Sequence, residues 1–294
     1  MQDARTKSLI HYHLIVFIFG FSSILGALCS LNAIPLVVYR MTLASLGLAV
    51  YFAIIHPTYF KLEKTLWLKV ILGGLIIGVH WVTFFHAIKV AGVSLTLSMM
   101  ATGAFITAMI EPLINKRKIL GYELLFGGLI AVGVGIIFHA EYEHLYGIGI
   151  ALLSAFMSSV FTILNTQLVK RGRAITLSFY ELSVGAIFGI VYVIFSGKYT
   201  FEAFELHQWD WLWIGLIAWV CTSYAFNISI KVMQHLSPFT VMLIINLEPL
   251  YGILLSLAIW KDEELMSFSF YIGFVIVLVA ILLNGSYKCQ KQIG

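Results

Sequence analysis

The feature that most limits how this chain can fold is a series of ten apolar segments, each about long enough to cross a lipid bilayer. A helix needs about 20 mainly apolar residues to span the hydrocarbon core. Helices are expected because lipid satisfies no backbone hydrogen bonds, and the alternating pattern of a membrane β-barrel is absent. The connections are short and leave no room for a soluble domain. The predicted segments are 9–29, 35–55, 66–88, 94–114, 121–138, 147–168, 175–195, 210–230, 238–259 and 269–286.

Composition also indicates that lipid is the natural solvent. Hydrophobic residues make up 61% of the 294 residues and charged residues only 11%, whereas a soluble domain carries about 25% charged residues. The net charge of +4 comes from short basic clusters rather than one stripe, so no nucleic-acid partner is predicted. Cys29, Cys221 and Cys289 form no CxxC pair, and we predict no disulfide framework, no metal site and no cofactor.

The basic residues predict how the chain is oriented. Of the 18 Lys and Arg residues, fourteen lie at one set of segment ends, and Arg40, Lys89, Lys198 and Lys261 lie at the opposite set. Lys and Arg concentrate in cytoplasmic loops. We therefore expect a multi-pass protein of the plasma (inner) membrane with both termini in the cytoplasm.

A weak internal repeat relates the two halves of the chain. Three short matches keep their order at offsets of 136, 141 and 142 residues. Each half then holds five segments, and an odd number inverts the second copy, as in many secondary transporters that expose one site to both sides in turn. We predict two inverted five-helix repeats, at 1–140 and 141–294. The matches pair Ser22-Ser23-Ile24 with Ser158-Ser159-Val160, Tyr39-Arg40-Met41 with Tyr180-Glu181-Leu182, and Ile88-Lys89-Val90 with Ile230-Lys231-Val232.

Glu248 is the strongest candidate for a functional residue, because it lies about eleven residues into the ninth segment. A charge at the centre of a bilayer costs roughly 3 kcal/mol, so such residues usually have a function. Pro249 follows it and should break the helix by leaving the carbonyl of Ile245 without a partner. Glu248 could then bind a proton or a substrate amine. The alternative is a structural glutamate that joins the ninth helix to a neighbour.

Four other polar or aromatic residues are candidates to line the same site. His80 and Trp81 lie near the middle of the third segment, where histidine could change charge and tryptophan could offer a flat face to a ligand. Asn246 lies beside Glu248, and Tyr224 lies on the eighth segment. A neutral histidine bonded to a backbone carbonyl, and a tyrosine that joins two helices, are the structural alternatives.

Arg40 and Glu181 occupy equivalent positions in the two repeats, each about six residues inside its segment and at opposite sides of the membrane. They are candidates for gate charges, with Arg40 at the outer mouth and Glu181 at the inner mouth. Arg40 could equally extend its side chain to the interface.

The run HWVTFFHAIK at 80–89 and the run NLEPLYG at 246–252, together with the five-plus-five layout, resemble the EamA domains of the drug/metabolite transporter superfamily. The resemblance covers nearly the whole chain. It implies a central cavity lined by helices 1–4 and 6–9, peripheral helices 5 and 10, and export of amino acids or related metabolites. One feature departs from the family: aligning the halves leaves no proline in the fourth helix opposite Pro249, and Pro112 lies further along.

These features predict a secondary active transporter, with an exporter of small polar metabolites favoured, rather than an enzyme. An intramembrane enzyme and a passive channel are the alternatives. The aspartates Asp3, Asp210 and Asp262 all lie outside the predicted hydrocarbon core, and the chain has no HExxH motif. It also has no TVGYG filter. The substrate, coupling to protons, and the choice between monomer and homodimer stay open.

Introduced cysteines test the predicted orientation in a chain whose own three cysteines have been replaced. We expect Tyr142→Cys and Ala203→Cys to react with a membrane-impermeant thiol reagent added to intact cells, because both should face outward. Arg117→Cys should react only after the membrane is opened. The reverse pattern of labelling would overturn the orientation.

Overall fold

A computed structural model describes residues 2–114, 116, 121–261 and 265–293, and these ranges are mostly helical and contain no strand. Within them the chain forms twelve α-helices. In order they are α1 Gln2–Leu28, α2 Ala33–Ile55, α3 Trp67–Met100, α4 Gly103–Ile114, α5 Gly121–Ala140, α6 Leu145–Leu168, α7 Ala174–Ser196, α8 Asp210–Ala218, α9 Ala225–Val232, α10 Pro238–Ile245, α11 Glu248–Trp260 and α12 Phe268–Ile293.

Across the described ranges these helices account for ten membrane crossings. Seven spans are long and apolar enough on their own, and three shorter apolar helices complete the set. α8 and α9 form one crossing, and so do α10 and α11. α3 contains the third crossing and the start of the fourth, which α4 completes. The predicted fold class, an all-α membrane protein, is confirmed.

The two ends of the bundle differ in charge. We call them the basic end and the acidic end. The basic end carries Lys61, Lys170 and Arg173, and the acidic end carries Glu141, Glu202 and Asp210. Most of the lateral surface is apolar, with large side chains such as Ile54 and Phe195 exposed by 72% and 84%, as expected of a surface that contacts lipid.

The chain reverses direction inside α3 at Gly92, whose φ is +81° and ψ 169°. A side chain with a Cβ rarely adopts this conformation, so glycine is needed here. Residues 67–91 run towards the acidic end, where Ala91 packs beside Gly147, and residues 93–100 run back. We expected a short loop between the third and fourth segments. Instead, Gly92 is the only residue inside α3 with non-helical backbone angles.

The fourth and ninth crossings are interrupted, at 101–102 and 246–247. In the ninth, Pro249 cannot donate to the carbonyl of Ile245, and the helix restarts with this proline in its first turn. The fourth is interrupted without a proline, and at this break the Thr102 hydroxyl donates to the carbonyl of Met99 at 2.7 Å. The fourth crossing is therefore interrupted although it lacks the proline that the family resemblance led us to expect there.

The two interrupted crossings pack against each other in opposite directions. Leu97 lies beside Gly252 on one side of the breaks, and Gly103 lies beside Met242 on the other. Each also packs on the first helix of the other half, since α4 contacts α6 and α11 contacts α1. The breaks therefore meet at the centre of the bundle, where secondary transporters commonly place their sites.

α5 and α12 form a pair at the side of the bundle. A Cβ added to Gly133 would lie 2.8 Å from the carbonyl oxygen of Gly273, and one added to Gly273 would lie 2.7 Å from that of Gly133. Such close approach requires small residues. The pair packs mainly on itself and leaves the centre of the bundle to the other eight crossings.

Two tyrosines make similar contacts at opposite ends of the bundle. The hydroxyl of Tyr39 donates to the carbonyl of Phe204 at 3.0 Å at the acidic end, and that of Tyr180 donates to the carbonyl of Phe60 at 2.6 Å at the basic end. Each acceptor closes a 3₁₀ turn that follows the second helix of its half. The tyrosines thus connect the halves in two equivalent ways.

Gly74 tests the close packing of α3 on α7. A Cβ there would lie 2.6 Å from the backbone oxygen of Glu181 and 2.7 Å from Val184 Cβ. We expect Gly74→Ala to lower the free energy of unfolding by about 1–3 kcal/mol, as overpacking usually does, measured as thermal unfolding in detergent. Gly149→Ala is the control, because a Cβ there meets no atom within 4 Å. Equal melting temperatures for the two variants would contradict the packing.

Candidate functional site

A cavity lies at mid-depth between the two halves of the chain. It offers about 70 Å³ to the centres of water-sized molecules. One water needs about 10–15 Å³ of such space, so a few waters or a small ligand fit. Crossings 1–4, 6, 8 and 9 line it. The resemblance also implied a contribution from the crossing formed by α7, but no described residue of α7 lines the cavity. The lining residues are Tyr12, Phe19, Ser22, Arg40, Ile77, His80, Trp81, Phe84, Met100, Ser158, Phe161, Thr162, Phe226, Ser229, Met233, Ile245 and Glu248.

Arg40 lines this cavity and does not lie at an outer mouth, as we expected. Its side chain is 3% exposed, and its guanidinium carbon lies 3.8 Å above the centre of the Trp81 ring. Its Nε donates to the hydroxyl of Thr222 at 2.7 Å. Helix α2 enters from the acidic end, and two turns further on Arg40 turns inward to Trp81 and Thr222 rather than towards the interface. A cation over an aromatic face is stabilised where water is absent.

Glu248 begins α11 and faces the same cavity from the ninth crossing. It attracts Arg40 across the cavity, but the two form no ion pair, and among the described residues no group bonds to the Glu248 carboxyl. The hydroxyl of Tyr12, which interacts electrostatically with Glu248, has no described partner either. A buried carboxyl, a buried phenol and a buried guanidinium therefore face one space with bonding capacity unused. Buried polar groups normally have partners, so their exceptions point to a ligand or water.

His80 lies in the cavity wall and bonds to the second half. Its Nδ1 is 3.0 Å from the carbonyl oxygen of Ser154, and the Ser154 hydroxyl donates to the His80 carbonyl at 2.9 Å. Nδ1 also lies 2.9 Å from the Ser154 hydroxyl. In the tautomer with its proton on Nδ1, this nitrogen donates to the Ser154 carbonyl and Nε2 is left for a ligand or water. His80 thus lies within bonding distance of a backbone carbonyl, as in the structural alternative, and also lines the cavity. Trp81 beside it lines the cavity as well.

Two sequence candidates lie away from the cavity lining. Tyr224 is 44% exposed and its hydroxyl lies 3.1 Å from His11 Nε2, on the outer face of the eighth crossing. The six-residue π-helix Trp219–Tyr224 changes the direction of this side chain, which regular helical spacing could not predict. Asn246 is buried in the break before Glu248, and its amide atoms have no described hydrogen-bond partner.

Glu181 lies at no mouth either, since it is 0% exposed. Its Oε1 accepts from the Asn165 side-chain amide at 2.9 Å and packs where a Cβ of Gly73 would lie. It belongs to a separate polar pair between α6, α7 and α3. The expectation of two gate charges is therefore wrong for both residues: one lies inside the cavity and the other lies between helices.

The sequence reading missed several lining residues. Ser22 and Ser158 were noticed as repeat partners and not as a site, although both line the cavity, one from each half. Thr222 does not line the cavity but bonds to Arg40, which does; it was missed because nothing in the sequence predicts a π-helix. No three His, Cys, Asp or Glu side chains cluster like metal ligands among the residues described.

Comparison with known proteins adds a family and a fold. Residues 145–286 match the model of the EamA-like transporter family. One solved structure, described as a crystal structure of a protein, superposes with a TM-score of 0.66 at 12% sequence identity, covering 95% of this chain and 97% of that chain. At this identity the likeness shows the fold alone. No curated protein matches the chain in sequence.

Pro249→Ala tests what holds the break in the ninth crossing. An alanine N–H can donate to the carbonyl of Ile245, so we expect residues 246–249 to become helical and hydrogen exchange in this segment to slow. Pro112→Ala in α4 is the matched control and should leave exchange at 246–249 unchanged. Unchanged exchange after Pro249→Ala would mean that the break persists without proline, as it does at 101–102.

Proposed function

Because the chain belongs, through residues 145–286, to the EamA-like transporter family of the drug/metabolite transporter superfamily, we propose that it is a secondary active carrier for small polar metabolites such as amino acids. Substrate would leave the cytoplasm in exchange for protons. The carrier would lie in the inner membrane with both termini in the cytoplasm. It would work as a monomer or as a homodimer.

One observation carries the proposal: Arg40 and Glu248 face a single buried cavity without pairing with each other. A guanidinium binds a carboxylate through two parallel hydrogen bonds, and a carboxylate binds an ammonium group. An amino acid carries both groups on neighbouring atoms. The aromatic rings of Phe84, Phe161 and Phe226 in the same wall would contact an apolar side chain.

The coupling mechanism follows from the Glu248 carboxyl. It can hold the ammonium group of a substrate or a proton, and it cannot hold both. An unpaired carboxylate in the hydrocarbon core is costly, so the empty site would return across the membrane with a proton bound. Substrate and proton therefore move in opposite directions, and the proton gradient would drive export.

Alternating access would come from motion between the two repeats, residues 1–140 and 141–294. The interrupted crossings meet beside the cavity and each packs on the first helix of the other half. Inverted repeats can exchange their conformations, which opens the site to one side and then the other. The contacts Tyr39–Phe204 and Tyr180–Phe60 would then break alternately.

Proton movement in proteoliposomes tests this function. The purified chain is reconstituted with a pH-sensitive dye trapped inside, and pools of amino acids and other small metabolites are added outside. We expect one pool to raise the internal pH with the wild-type protein, because protons leave as substrate enters, and to have no effect with Glu248→Gln.

Glu181→Gln is the matched control, since it changes another buried glutamate that lies outside the cavity. It should keep the pH response. Counterflow of radiolabelled pools, which needs no proton movement, separates the two parts of the proposal. Counterflow without a pH response would overturn the coupling, and the absence of both would overturn the carrier.

A further inference from the structure

The π-helix Trp219–Tyr224 in the eighth crossing shapes how Arg40 meets the cavity. π-helices are rare and often occur at functional sites. Here the Thr222 hydroxyl donates to the carbonyl of Ile217, five residues earlier, at 2.7 Å. Ser223 donates to the carbonyl of Ala218, also five residues earlier, at 3.1 Å. The two hydroxyls satisfy carbonyls at the widened turn, and the turn brings Thr222 to α2.

The Thr222 hydroxyl has one proton, and the bond to Ile217 uses it. Its lone pairs can therefore only accept, and they accept from Nε of Arg40 at 2.7 Å. The chain of bonds has one direction, from Arg40 through Thr222 to Ile217. Thr222 is 0% exposed, so water does not compete for these bonds.

Three contacts then surround the guanidinium. Nε is bonded to Thr222, and the guanidinium carbon lies 3.8 Å from the centre of the Trp81 ring and 5.5 Å from the centre of the Phe85 ring. Among the described residues the Arg40 side chain makes no other hydrogen bond. Its two terminal amino groups remain, and they form the fork that matches the two oxygens of a carboxylate.

We infer that Thr222 is a positioning residue, which holds Arg40 so that its two terminal amino groups take the carboxylate of the substrate. This rests on the proposed function and deepens it, because it makes the site select ligands with a planar, two-oxygen anion. Thr222 comes from the second half of the chain and Arg40 from the first. The fork is therefore complete only while the eighth crossing lies against α2.

The experiment compares three small probes: alanine, propionate, which has only the carboxylate, and ethylamine, which has only the ammonium group. Counterflow of radiolabelled alanine gives its KM, and the other two are measured as inhibitors. We expect Thr222→Val to raise the KM of alanine and the inhibition constant of propionate about tenfold, the effect of losing a hydrogen bond to a charged group. Inhibition by ethylamine should not change, because Glu248 binds it. Thr222→Ser keeps the hydroxyl and should restore the wild-type values.

Ser223→Ala is the matched control within the same π-helix. Ser223 bonds to the carbonyls of Ala218 and Ala44 and does not bond to Arg40, so its loss should affect the three probes little. A general loosening of the turn would weaken all three probes equally in both variants. That result, or unchanged values in Thr222→Val, would overturn the role of Thr222.

A binding measurement separates this inference from the proposed function. Thermal stabilisation of the detergent-purified protein by propionate needs no transport. Stabilisation of wild type and Thr222→Ser, but not of Thr222→Val, would support the positioning role even if no pool is transported. Equal stabilisation of all three, or stabilisation of none, would overturn it.

Discussion

The lack of water inside a bilayer is the constraint on which the rest of this structure depends. Backbone groups there must bond to one another, and a buried charge must find a partner within the protein. The helices meet the first demand, and at 101–102 and 246–247, where the regular α-helix is interrupted, the four backbone amides still donate to backbone carbonyls. Both interruptions face the bundle centre and not lipid. Irregular backbone is therefore found where a cavity or another helix can satisfy it.

The same constraint made much of the fold predictable from the sequence. An apolar run of about 20 residues has one stable conformation in lipid, so the spans and their type could be assigned without a structure. Glu248 and Pro249 could also be singled out, because a carboxyl and a helix break at mid-depth are both costly without a local reason. In the structure Glu248 lines the cavity, directly after the break.

Other parts of the site could not be predicted because they depend on how helices meet. Arg40 lies near enough to one end of α2 that its long side chain could have reached the interface. Trp81 and Thr222 direct it inward, and these contacts form only in the folded bundle. The position of Tyr224 outside the cavity could not be predicted for a related reason. The prediction assumed 3.6 residues per turn, and a π-helix adds a residue to the turn. The break at 101–102 has no proline to mark it, and a threonine back-bond is common in helices that stay regular.

The two proposed repeats would share a scaffold but not a chemistry. Tyr39 and Tyr180 make equivalent bonds, whereas Arg40 and Glu181, the residues that follow them, do not. If both halves placed the same charge in the cavity, the two charges would repel and no zwitterion could bind between them. In this chain the second position carries a glutamate that bonds to Asn165 outside the cavity, and the negative charge comes from Glu248 on the ninth crossing. In the proposed carrier, symmetry would provide two equivalent conformations, and the departure from symmetry would give the site one charge of each sign.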